Sequence, residues 1–299
     1  MALVIRTSDN TDTNTDTDNT QIIIKTKPDS ITIEVLDNPS IEELKSFEKE
    51  EKLYFKFNNK KQGAYIECHK DKNYYKDYYK TFGKPDIYGL YEKNNTTKFK
   101  KLIGTVSLIY RYDNKVCHIM DLKIKKEYRG TGGVYKFTMS TLFSRMFKNN
   151  GYYGICMNNN TIIENLTKKM MMPTLKSRGK MLIYLISFEN INKIVSLLSI
   201  FYCSEIAFID NNKTRMIVDA VNKKSYKILH LHHNAEYYED IDFTEPQVGY
   251  QYCFSIHESN EYIIEQLKGS FNISPSASAT IYSSDFKTDW SKFVKTFEI

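Results

Sequence analysis

The chain has 299 residues, 41% of them apolar, enough for one large domain or two small ones around a sizeable core. Lys and Arg number 42 against 36 Asp and Glu, a net charge of +6 that suits an anionic ligand but is too weak to argue for nucleic acid. The N-terminus turns polar at Thr7, no segment stays apolar long enough to span a bilayer, and five scattered cysteines form no Cys-x-x-Cys pair. Secretory leader, membrane span, disulfide framework and zinc ribbon are therefore not expected; the expectation is a soluble, intracellular protein, cytoplasmic by default.

Residues 1–20 are dominated by Asp, Asn and Thr in their second half and read as a polar, disordered tail. Residues 22–24 and 31–35 are strand-like, with a turn at 28–30. Pro39 and Ser40 followed by Glu42 and Glu43 predict a helix start, with acids at the positive end of the dipole, and the helix runs on through Leu44 and Phe47. Residues 69–84 interleave Lys with Tyr. Tyr75, Tyr78, Tyr79 and Phe82 fall at helical spacing, which predicts an amphipathic helix packing its tyrosines on a sheet. The other use of such a region is stacking nucleic-acid bases, or docking a protein partner.

Strands are predicted at 87–91, 102–110 and 116–124, the last two joined near Asp113 and Asn114. A glycine-rich turn and a helix over 133–148 follow, then a strand at 152–157 and a helix over 161–172 stopped by Pro173. The pattern then starts afresh. Strands are predicted at 181–186, 215–218, 226–231, 251–256 and 277–282, and helices at 191–200, 258–267 and 288–296. Trp290, Phe293 and Phe297 would form the packing face of the last helix. There is no convincing sequence repeat, but the order of elements allows a second lobe of related build.

Three of only 12 glycines fall at Gly130, Gly132 and Gly133, between a strand and a helix. Such a turn lets backbone amides approach a ligand closely, and the helix start adds a dipole, so the place is an anion site. Charge agrees: no acid occurs between Glu127 and Glu164, while Arg129, Lys136, Arg145 and Lys148 do. A helix start without its usual acid leaves room for a ligand's negative charge. The P-loop string is absent. A dinucleotide fingerprint would need a glycine where Tyr135 stands and an acid about 20 residues on.

Residues 120–134, MDLKIKKEYRGTGGV, resemble the acetyl-CoA signature of the GNAT superfamily of N-acetyltransferases, in which an apolar strand ends in a Tyr-Arg-Gly turn with the pattern Arg/Gln-x-x-Gly-x-Gly/Ala. Arg129 and Gly132 match, and Val134 replaces the final small residue. The hairpin before it stands where the family's third and fourth strands stand. The resemblance covers about 102–172 and extends back to about residue 31.

It implies a fold: a mixed, mostly antiparallel α/β sheet flanked by helices, as a GNAT-like domain over 21–200; residues 201–299 read as a smaller C-terminal α/β lobe, whose order of elements allows a diverged second GNAT-like half. It implies acetyl transfer from acetyl-CoA to an amine, small molecule or protein. The backbone around Leu122, Lys123 and Ile124 would pair with pantetheine amides like an added strand. Arg129 and the amides of Gly130, Thr131, Gly132, Gly133 and Val134 would hold the pyrophosphate, and Asn160 matches an asparagine that often precedes the next helix.

The family's Leu-Tyr-x-Lys-x-Gly-Phe string is matched by residues 166–172, LTKKMMM, so Thr167 stands in place of the tyrosine that often protonates the leaving thiolate. For the proton acceptor the candidates are His118 and Asp121. His118, Met120, Leu122 and Ile124 share a face if the strand is regular, and a bulge, frequent in the family, would change that parity. A CoA-binding module without transferase activity, motivated by Thr167 and Val134, is the alternative. No metal site is expected: His230, His232 and His233, with Cys253 or His257, lack a tight ligand spacing. No serine lies in a Gly-x-Ser-x-Gly setting.

Overall fold

The computed structural model describes residues 30–36, 41–58, 60–68, 79–80, 83–93, 100–111, 116–129, 151–158, 175–210, 215–233, 247–285, 287–293 and 296. The tail over 1–20, the strand at 22–24, the glycine turn from Gly130 to Val134, the helices over 133–148 and 161–172, Asn160 and Thr167 lie outside the described residues.

Ten of the described strands form one sheet in the order β1-β4-β5-β6-β7-β14-β8-β13-β12-β9. They are β1 (Ser30–Val35), β4 (Gly83–Lys93), β5 (Lys100–Arg111), β6 (Cys117–Ile124), β7 (Tyr152–Met157), β8 (Lys176–Ile186), β9 (Ile206–Asp210), β12 (Ile228–His233), β13 (Gln251–His257) and β14 (Ala277–Ser283). Neighbours are antiparallel except β6–β7 and β12–β13. The fold is thus the mixed, mostly antiparallel α/β class expected of a GNAT-like chain. A second sheet, β11-β10-β3-β2, joins β2 (Leu53–Phe57) and β3 (Lys60–Cys68) to β10 (Arg215–Asp219) and β11 (Ser225–Tyr226).

Sequence periodicity passes over the β2–β3 hairpin and over β9, all short or interrupted by Lys and Asn. It also underestimates β4 and β8, which are 11 residues each. The single strand expected at 226–231 is two, broken at Lys227, and belongs to two sheets.

Helix α1 (Ile41–Glu50) buries Leu44 and Phe47 against Leu102, Ile109 and Met120 of the sheet. Its acids do a second job. Glu43 accepts the Leu102 N–H at 2.8 Å, Glu48 pairs with Lys123 at 2.6 Å and Glu50 with Lys125 at 2.5 Å. Acids at a helix C-terminus oppose the dipole, so Glu50 is placed there against the helix's own preference. The Lys125 hydrogen bond compensates and holds the Glu50 carboxyl below its usual range. Lys123 and Glu48 are both nearly excluded from water. Replacing Glu48 with Ala strands a buried ammonium, and we expect a loss of about 3–5 kcal/mol, read as a lower urea midpoint at unchanged slope.

On the far side, α2 (Phe188–Tyr202) and α3 (Glu261–Gly269) cover β8, β12 and β13 through Ile191, Ile194, Leu198, Ile263 and Leu267. The small sheet lies on the α1 face, packing Ile217 and Tyr226 against Met157, Leu185 and Ala277. A short α4 (Trp290–Phe293) sets Trp290 against Tyr153. No described helix is long and apolar enough to cross a membrane. Of the cysteine side chains described, Cys117, Cys156 and Cys253 are buried and Cys203 is exposed, all as thiols.

Candidate functional site

The parallel pairing of β6 and β7 lasts for three residue pairs, Cys117↔Tyr152, His118↔Tyr153 and Ile119↔Gly154. β7 then continues along β14, while β6 continues along β5 to Ile124. Between Met120 and Ile124, therefore, no described strand pairs with β6 on the side that faces β7. Such an edge offers main-chain N–H and C=O groups to an extended ligand.

A β-bulge lies at that point. Met120 pairs with Ser107 and Lys123 with Thr105, so three steps on β6 oppose two on β5. The extra residue is accommodated at Asp121, whose φ is +48°. Among residues with a side chain, Asp and Asn tolerate this left-handed region best. The Thr105 hydroxyl donates to the displaced Asp121 carbonyl at 3.2 Å. Bulges re-aim side chains, and this one changes which β6 residues face α1.

Met120 packs on the α1 face, and Lys123 reaches Glu48 on that face. Leu122 and Ile124 belong to the opposite face with Ile119. The regular-strand expectation that His118, Met120, Leu122 and Ile124 share one face is thus corrected: the bulge resets the alternation.

Asp121 is half-buried, and its carboxylate accepts a hydrogen bond from the Tyr79 hydroxyl. His118 sits differently. It is 1% exposed and stacks on the Tyr153 ring, with centroids 4.2 Å apart and an interplanar angle of 11°. The Tyr153 hydroxyl in turn accepts from Arg111 at 3.0 Å. His118 is thus packed under the junction of β6 and β7, and Asp121 stands where the strands part.

The turn after β6 is pinned at both of its large side chains. Residues Lys126–Tyr128 form a 3-10 turn. The Tyr128 hydroxyl donates to Glu92 of β4. Burial, and then the Glu92 carboxylate, push that phenol's pKa up, so it stays protonated. Arg129 donates through Nε to the Ile124 carbonyl at 2.8 Å and pairs with Glu51 at 2.5 Å. Glu51 also accepts the Lys126 N–H at 2.9 Å. Arg129 is therefore a brace that ties strand, turn and helix together, and it already uses one lone pair of the Ile124 carbonyl.

The geometry brings Asp121, Leu122, Lys123, Ile124 and Arg129 onto one strand end and turn. It adds two residues that sequence reasoning did not single out for the site, Glu51 and Tyr79. Tyr79 has 0% exposure, which fits its reading as a packed tyrosine and removes it as a ring for stacking a base. Glu51 carried a faint signal, an acid just past a helix C-terminus with basic residues far along the chain to meet it. In the C-terminal half, strand alternation puts His230 and His232 on one face, while His233 stacks on Tyr202 with centroids 3.9 Å apart. Among the described residues no group of three metal-capable side chains converges.

No family model matches the chain, and no curated protein sequence matches it. Solved structures similar to it are acetyltransferases. A GNAT-family acetyltransferase of Staphylococcus aureus Mu50 is 16% identical over 50% of this chain and 86% of its own, with a TM-score of 0.33. An acetyltransferase of Bacillus subtilis solved with CoA is 11% identical over 64% of this chain and 100% of its own, at 0.34. A tandem GNAT protein from the clavulanic acid biosynthesis pathway is 6% identical over 67% of this chain and 82% of its own, at 0.38.

Proposed function

We propose that the chain is an N-acetyltransferase that binds acetyl-CoA along the free edge of β6 and passes the acetyl group to an amine. One observation carries this reading: a bulged strand, met by no described strand on its β7 side from Met120 to Ile124, runs directly into a pinned turn whose next residues are Gly130-Thr131-Gly132-Gly133. With Tyr128 and Arg129 held by the scaffold, the main-chain amides of the glycine run are the groups proposed to meet the diphosphate. Pantetheine is an extended chain with two amides, which matches a strand edge at Leu122–Ile124.

Bound acetyl-CoA would supply the activated acetyl group, and the protein's contribution is positioning and proton removal. The attacking amine must lose a proton. Asp121 is the acceptor the geometry favours, because it is partly open to solvent, stands at the parting and is oriented by Tyr79. His118, buried and stacked on Tyr153, is the less accessible candidate. Thr167, where the family has tyrosine, has a less acidic hydroxyl, so water is the proposed proton donor to the thiolate. The acceptor would enter on the α1 face, between α1, Tyr79 and the small sheet.

The test is incubation with acetyl-CoA and a panel of amines while free thiol is followed. Thiol release that depends on the amine supports the reading. Thermal stabilisation by CoA without release on any amine would favour the binding module instead, as Thr167 and Val134 suggest. Replacing Glu51 with Gln removes the charge that braces Arg129. We expect about a tenfold weaker affinity for CoA at nearly unchanged kcat, because a charge-assisted hydrogen bond of roughly 1.5–3 kcal/mol is lost from the turn.

A further inference from the structure

Around the β14–β8 pair the order of the large sheet matches for three strands on each side, with β4 and β1 lying outside the match. In one direction from the β14–β8 pair run β7, β6 and β5; in the other run β13, β12 and β9. The pairings match step by step. β7–β14 and β13–β8 are antiparallel, β6–β7 and β12–β13 are parallel, and β5–β6 and β9–β12 are antiparallel. β8 follows β7 in sequence but pairs with β13, and β14 follows β13 but pairs with β7. Each half therefore lends one strand to the other. An approximate two-fold axis through the antiparallel β14–β8 pair relates them and maps the β6–β7 junction onto β12–β13.

The second junction has the same form. Its parallel pairing also lasts three residue pairs, Ile228↔Gln251, Leu229↔Tyr252 and His230↔Cys253, with a tyrosine at the middle rung as in the first. Its chemistry differs in two ways. The linker after β6, residues 125–151, carries four glycines, six bases and one acid, whereas the linker after β12, residues 234–250, carries five acids, no base and one glycine. Moreover, the last rung of the second junction is already bridged. Thr296, 4% exposed, donates its hydroxyl to the Cys253 carbonyl at 3.2 Å and lies 3.1 Å from Nδ1 of His230. With that hydroxyl proton committed to Cys253, the His230 Nδ1–H donates to Thr296.

We infer that the chain is a fused pair of GNAT-like halves in which the second junction is occupied by the chain's own segment at Thr296, leaving one ligand-binding junction per chain. That the remaining ligand is acetyl-CoA rests on the function proposed above; the self-occupancy does not. The acidic linker repels a diphosphate, and the Thr296 hydroxyl takes the carbonyl at which an added strand would begin.

Two experiments on the full chain decide it. Hydrogen exchange compares the wild type with Thr296→Gly and Thr296→Val. Residues 228–233 are expected to exchange about tenfold faster in both variants while residues 117–119 are unchanged, since one buried hydrogen-bonded bridge is removed. Unchanged exchange at 228–233 in both would overturn the inference. Calorimetric titration with CoA is expected to give one site per chain in the wild type and none in Gly132→Asp. Two sites, or one site surviving in Gly132→Asp, would overturn it. A wild type that binds no CoA would instead remove the cofactor reading, and the exchange data alone would then judge the self-occupied junction.

Discussion

Replacing Asp121 with Asn is expected to lower kcat by about 10²–10⁴-fold while the KM for acetyl-CoA stays within a few-fold of the wild type, the range that general-base catalysis contributes. Asparagine is the right probe because the position has a φ of +48°. Asn accepts that conformation as readily as Asp, so the bulge is kept, whereas Ala would add backbone strain to the loss of the carboxylate. The Asn side-chain carbonyl can still accept from Tyr79, so the orientation also survives. What disappears is the ability to take a proton. Steady-state kinetics across pH check this. The wild-type and variant kcat/KM profiles should differ in shape and not only in height. A variant with wild-type kcat would move the base elsewhere, with His118 the first to test.

Replacing Gly132 with Asp is expected to raise the Kd for acetyl-CoA by more than about 100-fold, since a like charge facing a diphosphate costs several kcal/mol. The three glycines of the turn sit in a chain that has 12, and no acid lies between Glu127 and Glu164. Adding one there reverses the local charge. The scaffold that leads into the turn is independent of the change: Tyr128 is held by Glu92 and Arg129 by Glu51. A thermal midpoint close to the wild type, together with lost CoA binding by calorimetry, is the expected pair of results. Retained binding in the folded variant would remove the turn from the site.

Hydrophobic period and turn chemistry made β5, β6, β7 and β13 legible, because each alternates or is continuously apolar over a strand's length and is bounded by turn residues. Helix α1 was legible from Glu42 and Glu43 ahead of Leu44 and Phe47. The β2–β3 hairpin was not. Lys56, Lys60 and Lys61 interrupt its apolar pattern, and its buried side, Phe55, Phe57 and Ala64, finds cover in strands far along the chain.

The bulge at Asp121 left no local trace beyond an Asp within an apolar strand, since a bulge is defined by the partner strand's register. The resemblance to GNAT enzymes raised it as a possibility but could not place it. The brace on Arg129 was hidden for the same reason: Glu51 and Arg129 are 78 positions apart and meet only through packing of α1. The exchange of β8 and β14 between the halves is likewise invisible to periodicity, which reports a strand's existence and not its neighbours.

Backbone hydrogen exchange of residues 120–124, with and without saturating acetyl-CoA, tests the central claim most directly. If the cofactor lies along β6 as an added strand, these amides slow markedly on binding, while β12 and β13, at residues 228–233 and 251–257, do not respond. Stabilisation of the protein by acetyl-CoA with unchanged exchange at 120–124 would contradict the account, because the ligand would then be held somewhere other than the free edge.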